Sequence, residues 1–122
     1  MRKISVKPVV WIGSSRNDLK EFPEDVRVIM GQALYVAQKG GKHQSAKPLK
    51  GFGGAKVLEI TDDCDGDTYR SVYTVKFADT VYVLHAFQKK SKKGIATPQQ
   101  DIKLIQERLK LAQEHYEEFK SK

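Results

Sequence analysis

Apolar positions along the chain change period three times, and each change predicts a new element. Val9, Val10, Trp11 and Ile12 form an unbroken run between Pro8 and Gly13, rich in strand-forming residues. The spacing then lengthens. Leu19 and Phe22 follow Ser14 and Ser15, either of which can cap a short helix. Pro23 suits the first position of a second helix, with Glu24 and Asp25 favourably placed in its first turn. Val26, Ile29, Ala33 and Val36 or Ala37 keep helical spacing until Gly40-Gly41 stops it. A helical hairpin is therefore expected directly after the first strand.

A loop is expected from Lys42 to Gly54, followed by three strands, Ala55 to Thr61, Thr68 to Phe77 and Thr80 to Phe87. Asp65-Gly66 and Ala78-Asp79 supply the turns of an antiparallel meander. Thr97-Pro98-Gln99-Gln100 matches a capping box with Pro at the first helical position. Beyond it, Ile102, Ile105, Leu109, Ala112, Tyr116 and Phe119 alternate spacings of three and four. A helix from Pro98 to Phe119 would run about 33 Å, its stripe serving as core or partner contact. The expected fold is α+β in the order β-α-α-β-β-β-α, with a small antiparallel sheet, a helical hairpin after the first strand and a long C-terminal helix. With 122 residues, no internal repeat and no dividing linker, residues 1–122 form one domain, which buries about two thirds of its unfolded surface.

Charge adds what hydropathy cannot. The net charge is +7, yet the 15 acids cluster away from the bases. Lys39, Lys42, Lys47, Lys50 and Lys56 run through a Gly- and Pro-rich segment, Lys39 to Leu58, without one Asp or Glu. His85, Lys89, Lys90, Lys92 and Lys93 repeat the feature between Val81 and Gly94. Two acid-free basic segments at a loop and a strand end suit a polyanion, nucleic acid above all. The bland alternative is that these lysines only keep the protein soluble. No apolar run approaches the roughly 18 residues of a membrane span, and the first ten residues lack a signal-peptide core. A cytoplasmic protein is expected. Cys64 is alone, so neither a disulfide framework nor a cysteine-rich metal site is expected.

Several motifs fail on inspection. Gly51-Phe52-Gly53-Gly54 lacks the Lys-Ser/Thr and the following helix of a phosphate loop. Asp62, Asp63, Asp65 and Asp67 surround Gly66, but the glycine is out of register for an EF-hand and the closing Glu is missing. An acidic hairpin turn fits better. His43, His85 and His115 are too scattered to argue for zinc. No metal and no cofactor are expected.

What remains is mutually consistent. Arg70 follows Tyr69 on the middle strand of the meander, and Lys47-Pro48-Leu49-Lys50-Gly51 precedes the first. Strand alternation puts Val81, Val83, His85 and Phe87 on one face, with Tyr82 turned away. By the same alternation Tyr73 lies opposite Arg70, in the core. Pairing in sequence order would set Arg70 between the strand after Lys50 and the strand bearing His85.

The strings KPLKGFGG, VLEI, TYRSVYTV, VYVLHAFQKKSKKG and TPQQDI occur in the order that resembles the RelE/ParE toxin superfamily, in its phage-derived Gp49-like and HigB-like branch. The most specific piece is Leu84 to Lys90 followed by Thr97-Pro98, and the resemblance covers roughly Pro8 to Leu111. It implies a toxin of a type II toxin–antitoxin system that cleaves mRNA, commonly on the ribosome. It also implies a neutralising antitoxin, usually with a helix-turn-helix domain.

The residues can carry that chemistry without a metal. When a ribose 2′-hydroxyl attacks the adjacent phosphorus, fixed cations stabilise the charge that develops on oxygen. Arg70 offers a fork of donors that cannot be deprotonated. His85 can move a proton, since its unperturbed pKa is ~6.5. Lys90 matches the superfamily position that often holds a second Arg. Lys47, Lys50, Lys89, Lys92 and Lys93 are expected to hold the RNA backbone. The chain departs from the pattern at two points. Lys47 replaces a carboxylate base of one branch, and Glu59 stands where another has Lys. Two alternatives stay open: a ParE-like toxin that inhibits gyrase without catalysis, and an inactive phage-derived binding protein of the same fold.

Overall fold

The computed structural model describes residues 6–89 and 97–120. The chain runs β1 (Val9–Trp11), α1 (Ser15–Lys20), α2 (Glu24–Gln38), β2 (Ala46–Pro48), β3 (Val57–Cys64), β4 (Asp67–Thr74), β5 (Val81–Lys89) and α3 (Gln99–Lys120). The five strands form one sheet in the order β1-β5-β4-β3-β2. All neighbours are antiparallel except β1 and β5, which run parallel, and the helical hairpin carries the chain from β1 to β2 at the opposite edge.

Local chemistry sets most boundaries. Gly40 has φ +89°, and two bonds run back into the last turn of α2. Gly41 N–H donates to the Val36 carbonyl at 2.9 Å, and Gly40 N–H to that of Ala37 at 3.0 Å. This is the Schellman arrangement that a left-handed glycine permits. Between β3 and β4, Asp65 and Gly66 have φ of 52° and 85°, the two left-handed positions of a tight hairpin turn. The acidic cluster is thus a turn, as expected.

The sheet is covered on both faces. On one, the helical hairpin packs Leu19 of α1, Phe22 of the turn, and Val26, Met30 and Ala33 of α2 against Ile60, Tyr73, Val81 and Val83. On the other, α3 packs Ile105, Ala112 and Tyr116 against Val72, Phe77, Tyr82 and Leu84. Arg108 of α3 donates to the Leu84 carbonyl at 2.9 Å and to Ser14 Oγ at 3.2 Å. Gly13, at φ +58°, leaves room for this guanidinium, which a Cβ there would meet at 2.8 Å.

The expected meander and helices are present, with four corrections. The expected loop contains β2, which pairs with the first half of β3, Leu58 to Ile60. Pro23 is the N-cap of α2, not its first helical residue. The apolar stripe of α3 ends at Tyr116, whose hydroxyl donates to Asp79 at 3.2 Å, while Phe119 is exposed. Thr97 and Pro98 precede α3, and the Thr97 hydroxyl is donated away from the helix, to Glu59.

Candidate active site

The register of the sheet assembles a polar site on its α3 side. Lys47 of β2 lies opposite Glu59 of β3, Glu59 opposite Val72 of β4, and Val72 opposite His85 of β5. The adjacent row is Thr61, Arg70 and Phe87. The next row pairs Thr68 with Lys89. Arg70 is central, as the strand order in the sequence implied.

The face of β5 differs from expectation. Tyr73 pairs with Val83, but Val72 pairs with His85, so one extra residue of β5 is accommodated in a bulge. Val81 and Val83 therefore pack under α2, while Phe87 packs with the α3 cluster and His85 stacks on it. Tyr82, expected to point away from His85, is on the α3 side too and bonds His115 at 2.8 Å. Without the bulge, alternation would have buried His85 in the apolar layer beneath α2. Tyr73 is in that layer, as expected.

Carboxylates meet the basic groups. Arg70 Nη1 donates to Glu59 Oε1 at 3.0 Å, and the Thr97 hydroxyl donates to Glu59 Oε2 at 2.7 Å. Arg70 Nη1 also reaches Thr97 Oγ1 at 3.5 Å. His85 Nε2 bonds Asp101 Oδ1, in the first turn of α3, at 2.8 Å. Its ring stacks on Phe87 with centroids 4.7 Å apart. Nδ1 is buried, with no hydrogen-bond partner among the described residues. Arg70, His85 and Lys89 are only 5%, 6% and 6% exposed. For Lys89, desolvation first and the Arg70 charge second push the pKa below the usual lysine value, and Glu59 partly opposes them.

Arg70 and His85 thus share one face. Lys89, expected to hold the RNA backbone, is instead a buried neighbour of Arg70. Lys47 is exposed at the sheet edge, beside an open cavity of about 290 Å³ that Glu59, Thr61, Gln44 and Ser45 also line. Lys50 is exposed in the loop after β2. Lys90, Lys92 and Lys93 lie outside the described residues. Sequence reasoning missed Glu59, Thr97 and Asp101 as members of the site. Glu59 did carry a signal, being an acid between Leu58 and Ile60 in an apolar strand. Thr97 and Asp101 were masked by looking like an ordinary helix start.

The arrangement offers one guanidinium, paired with a carboxylate, beside one histidine–carboxylate pair. Arg70 can meet an anion, Glu59 can accept a proton, and His85 can exchange one while Asp101 holds its ring. Among the described residues no group of three His, Cys, Asp or Glu side chains is placed to hold a metal ion. No described helix is long and apolar enough to cross a membrane.

Residues 17–110 match the sequence family described as Phage derived protein Gp49-like. No curated protein sequence matches. Among solved structures, the chain is similar to a doubly substituted variant of the Escherichia coli toxin RelE in the free state. The TM-score is 0.51 at 17% identity, covering 66% of this chain and 81% of that one. It also matches the toxin–antitoxin complex RelBE2 of Mycobacterium tuberculosis, with a TM-score of 0.45 and 18% identity over 75% of this chain and 100% of that one.

Proposed function

The chain belongs to the phage-derived Gp49-like family and has a RelE-like fold, and from that premise we propose that it is the toxin of a toxin–antitoxin pair, an endoribonuclease that cleaves mRNA on the ribosome. The observation that carries this is the setting of Arg70 between the Glu59 carboxylate and the His85–Asp101 pair on one face of the sheet.

Glu59 takes the proton of a ribose 2′-hydroxyl as that oxygen attacks the adjacent phosphorus. Arg70 stabilises the negative charge gathering on the non-bridging oxygens. His85 delivers a proton to the departing 5′-oxygen, leaving a 2′,3′-cyclic phosphate and a 5′-hydroxyl. Asp101 holds the ring through Nε2, and RNA entry must uncover the buried Nδ1 for that nitrogen to exchange the proton. Entry of RNA must also loosen the Glu59–Arg70 bond, which frees the carboxylate for the 2′-hydroxyl. Lys47 at the sheet edge and Lys50 beyond it hold the approaching backbone, with Lys90, Lys92 and Lys93 following β5 in the sequence. Such a toxin needs a neutralising antitoxin, and a short adjacent reading frame with a helix-turn-helix pattern would encode it.

Induction of the chain and of Arg70→Ala in a bacterium, with mapping of transcript ends, tests the proposal. The parent should arrest growth and produce new 5′-hydroxyl ends. The variant should fold and lose about 10² to 10³ in cleavage rate, the effect of removing one transition-state donor. Full cleavage by folded Arg70→Ala, or arrest with inhibited gyrase and intact transcripts, would defeat it.

A further inference from the structure

The acid-free segment from Lys39 to Leu58 folds around a second concavity that the catalytic assignment leaves unused. An open cavity of about 470 Å³ lies between the C-terminal end of α2 and the Gly-rich loop before β3. Leu49, Phe52 and Val75 give it apolar walls, Lys42 and Lys56 add cations, and no Asp or Glu lines it. Its volume is in the range of small-ligand sites, roughly 300 to 1,000 Å³, ample for one flat heterocycle.

Lys56 gives an independent pointer. It has φ +54°, a left-handed conformation that costs a lysine and that a glycine adopts freely. Gly51, Gly53 and Gly54 occupy the other left-handed positions of this loop. At Lys56 the conformation is enforced by its own carbonyl, which accepts bonds from Val75 N–H and Thr74 Oγ1 at 3.1 Å each. The loop therefore retains a long cation where glycine would relax it, on the wall of the cavity.

The cavity lies across the β2–β3 edge from the catalytic face. Lys47 and Glu59 line the opening beside Arg70, while their chain neighbours Pro48 and Leu58 line this one. We propose that the cavity takes one unstacked base of a single-stranded RNA, against Phe52, while Lys42 and Lys56 meet its flanking phosphates. This rests on the chain acting as an RNA-cleaving toxin. Aromatic faces and cations together are how proteins hold splayed single-stranded bases. An apolar side chain of a protein partner would fit the walls too. The acid-free lysine lining favours the polyanion.

The test uses the full chain and a short oligoribonucleotide made uncleavable by 2′-deoxy substitution. Phe52→Ala should weaken binding by about 5- to 150-fold, the effect of losing one stacked base, and leave the salt dependence unchanged. Lys56→Gly should melt no lower than the parent, yet bind more weakly with a log–log salt slope smaller by about one unit. With the parent chain, a 4-thiouridine-substituted oligonucleotide should cross-link to residues 48–56, which covers the case of Phe52→Ala folding poorly. Parent-like binding and salt slope in Lys56→Gly, or cross-links confined to other residues, would overturn the cavity assignment while cleavage by the parent upheld the function. A parent that neither binds nor cleaves RNA would overturn both. Variants that bind RNA normally but lose a protein partner would assign the cavity to that partner instead.

Discussion

Under α2 the sheet buries Val26, Met30, Ile60, Tyr73 and Val83, all at 0% exposure, as a nearly unbroken apolar layer. Under α3 it buries Val72, Leu84 and Ile105 as fully, but in company with Arg70, His85 and Lys89 and the carboxylates bonded to them. Burial is similar and its energetic meaning is opposite. Each apolar side chain in the first layer contributes about 1.5 to 3 kcal/mol by leaving water. In the second, the attraction within an ion pair is largely offset by the cost of desolvating both partners. Charges retained where they add little stability are where function is to be sought.

The largest expected effect belongs to the apolar face. Ile60→Ala should cost about 2 to 5 kcal/mol in urea unfolding, because the cavity left under α2 has few ways to collapse. A loss below about 1 kcal/mol would show that this layer is not the main support of the fold.

A smaller effect depends on pH. Burial pushes the Tyr73 hydroxyl up to about 12, and its oxygen has no hydrogen-bond partner among the described residues. A pKa raised in the folded state contributes stability that is fully present below the unfolded value of about 10, and that is lost as pH climbs through the folded value. Between pH 10 and 12 the parent should lose roughly 2 to 3 kcal/mol that Tyr73→Phe does not lose. Parallel stability curves for the two would refute the assignment.

The smallest effect is the most discriminating. Replacing the pair together, Glu59→Leu with Arg70→Met, should leave stability within about 1 kcal/mol of the parent or raise it, since well-packed apolar residues often replace a buried ion pair without loss. RNA cleavage should vanish. If the double variant unfolds as readily as Ile60→Ala, the α3 face is ordinary core and its charges are structural.

Both faces were partly legible in the sequence. Helical spacing in Val26 to Ala37, the Asp65-Gly66 turn and the strand-rich runs after it specified the hairpin and the meander, because those signals are local. Sequential pairing then put Arg70 at the centre. Three features escaped for physical reasons. Strand β2 is three residues with Lys and Pro and no apolar alternation, and it exists only because β3 offers an edge. The bulge in β5 has no sequence mark, since Leu84 and His85 would suit regular alternation equally well. Glu59, Thr97 and Asp101 are 42 residues apart at their extremes, and only the packing of α3 across the sheet brings them to Arg70 and His85.

The parallel pairing of β1 with β5 has a consequence in time. Val9 aligns with Val81, so strand β1 leaves the translating ribosome long before its partner is made. At about 5 to 20 residues per second, the 72 residues from Val10 to Val81 take roughly 4 to 14 s. The meander can assemble as it emerges, but its outer edge stays open until β5 is complete. β5 is the strand that carries His85, and Asp101 follows it. The nascent chain therefore cannot assemble the His85–Asp101 pair until nearly all of the domain has been synthesised, so the polar site forms last.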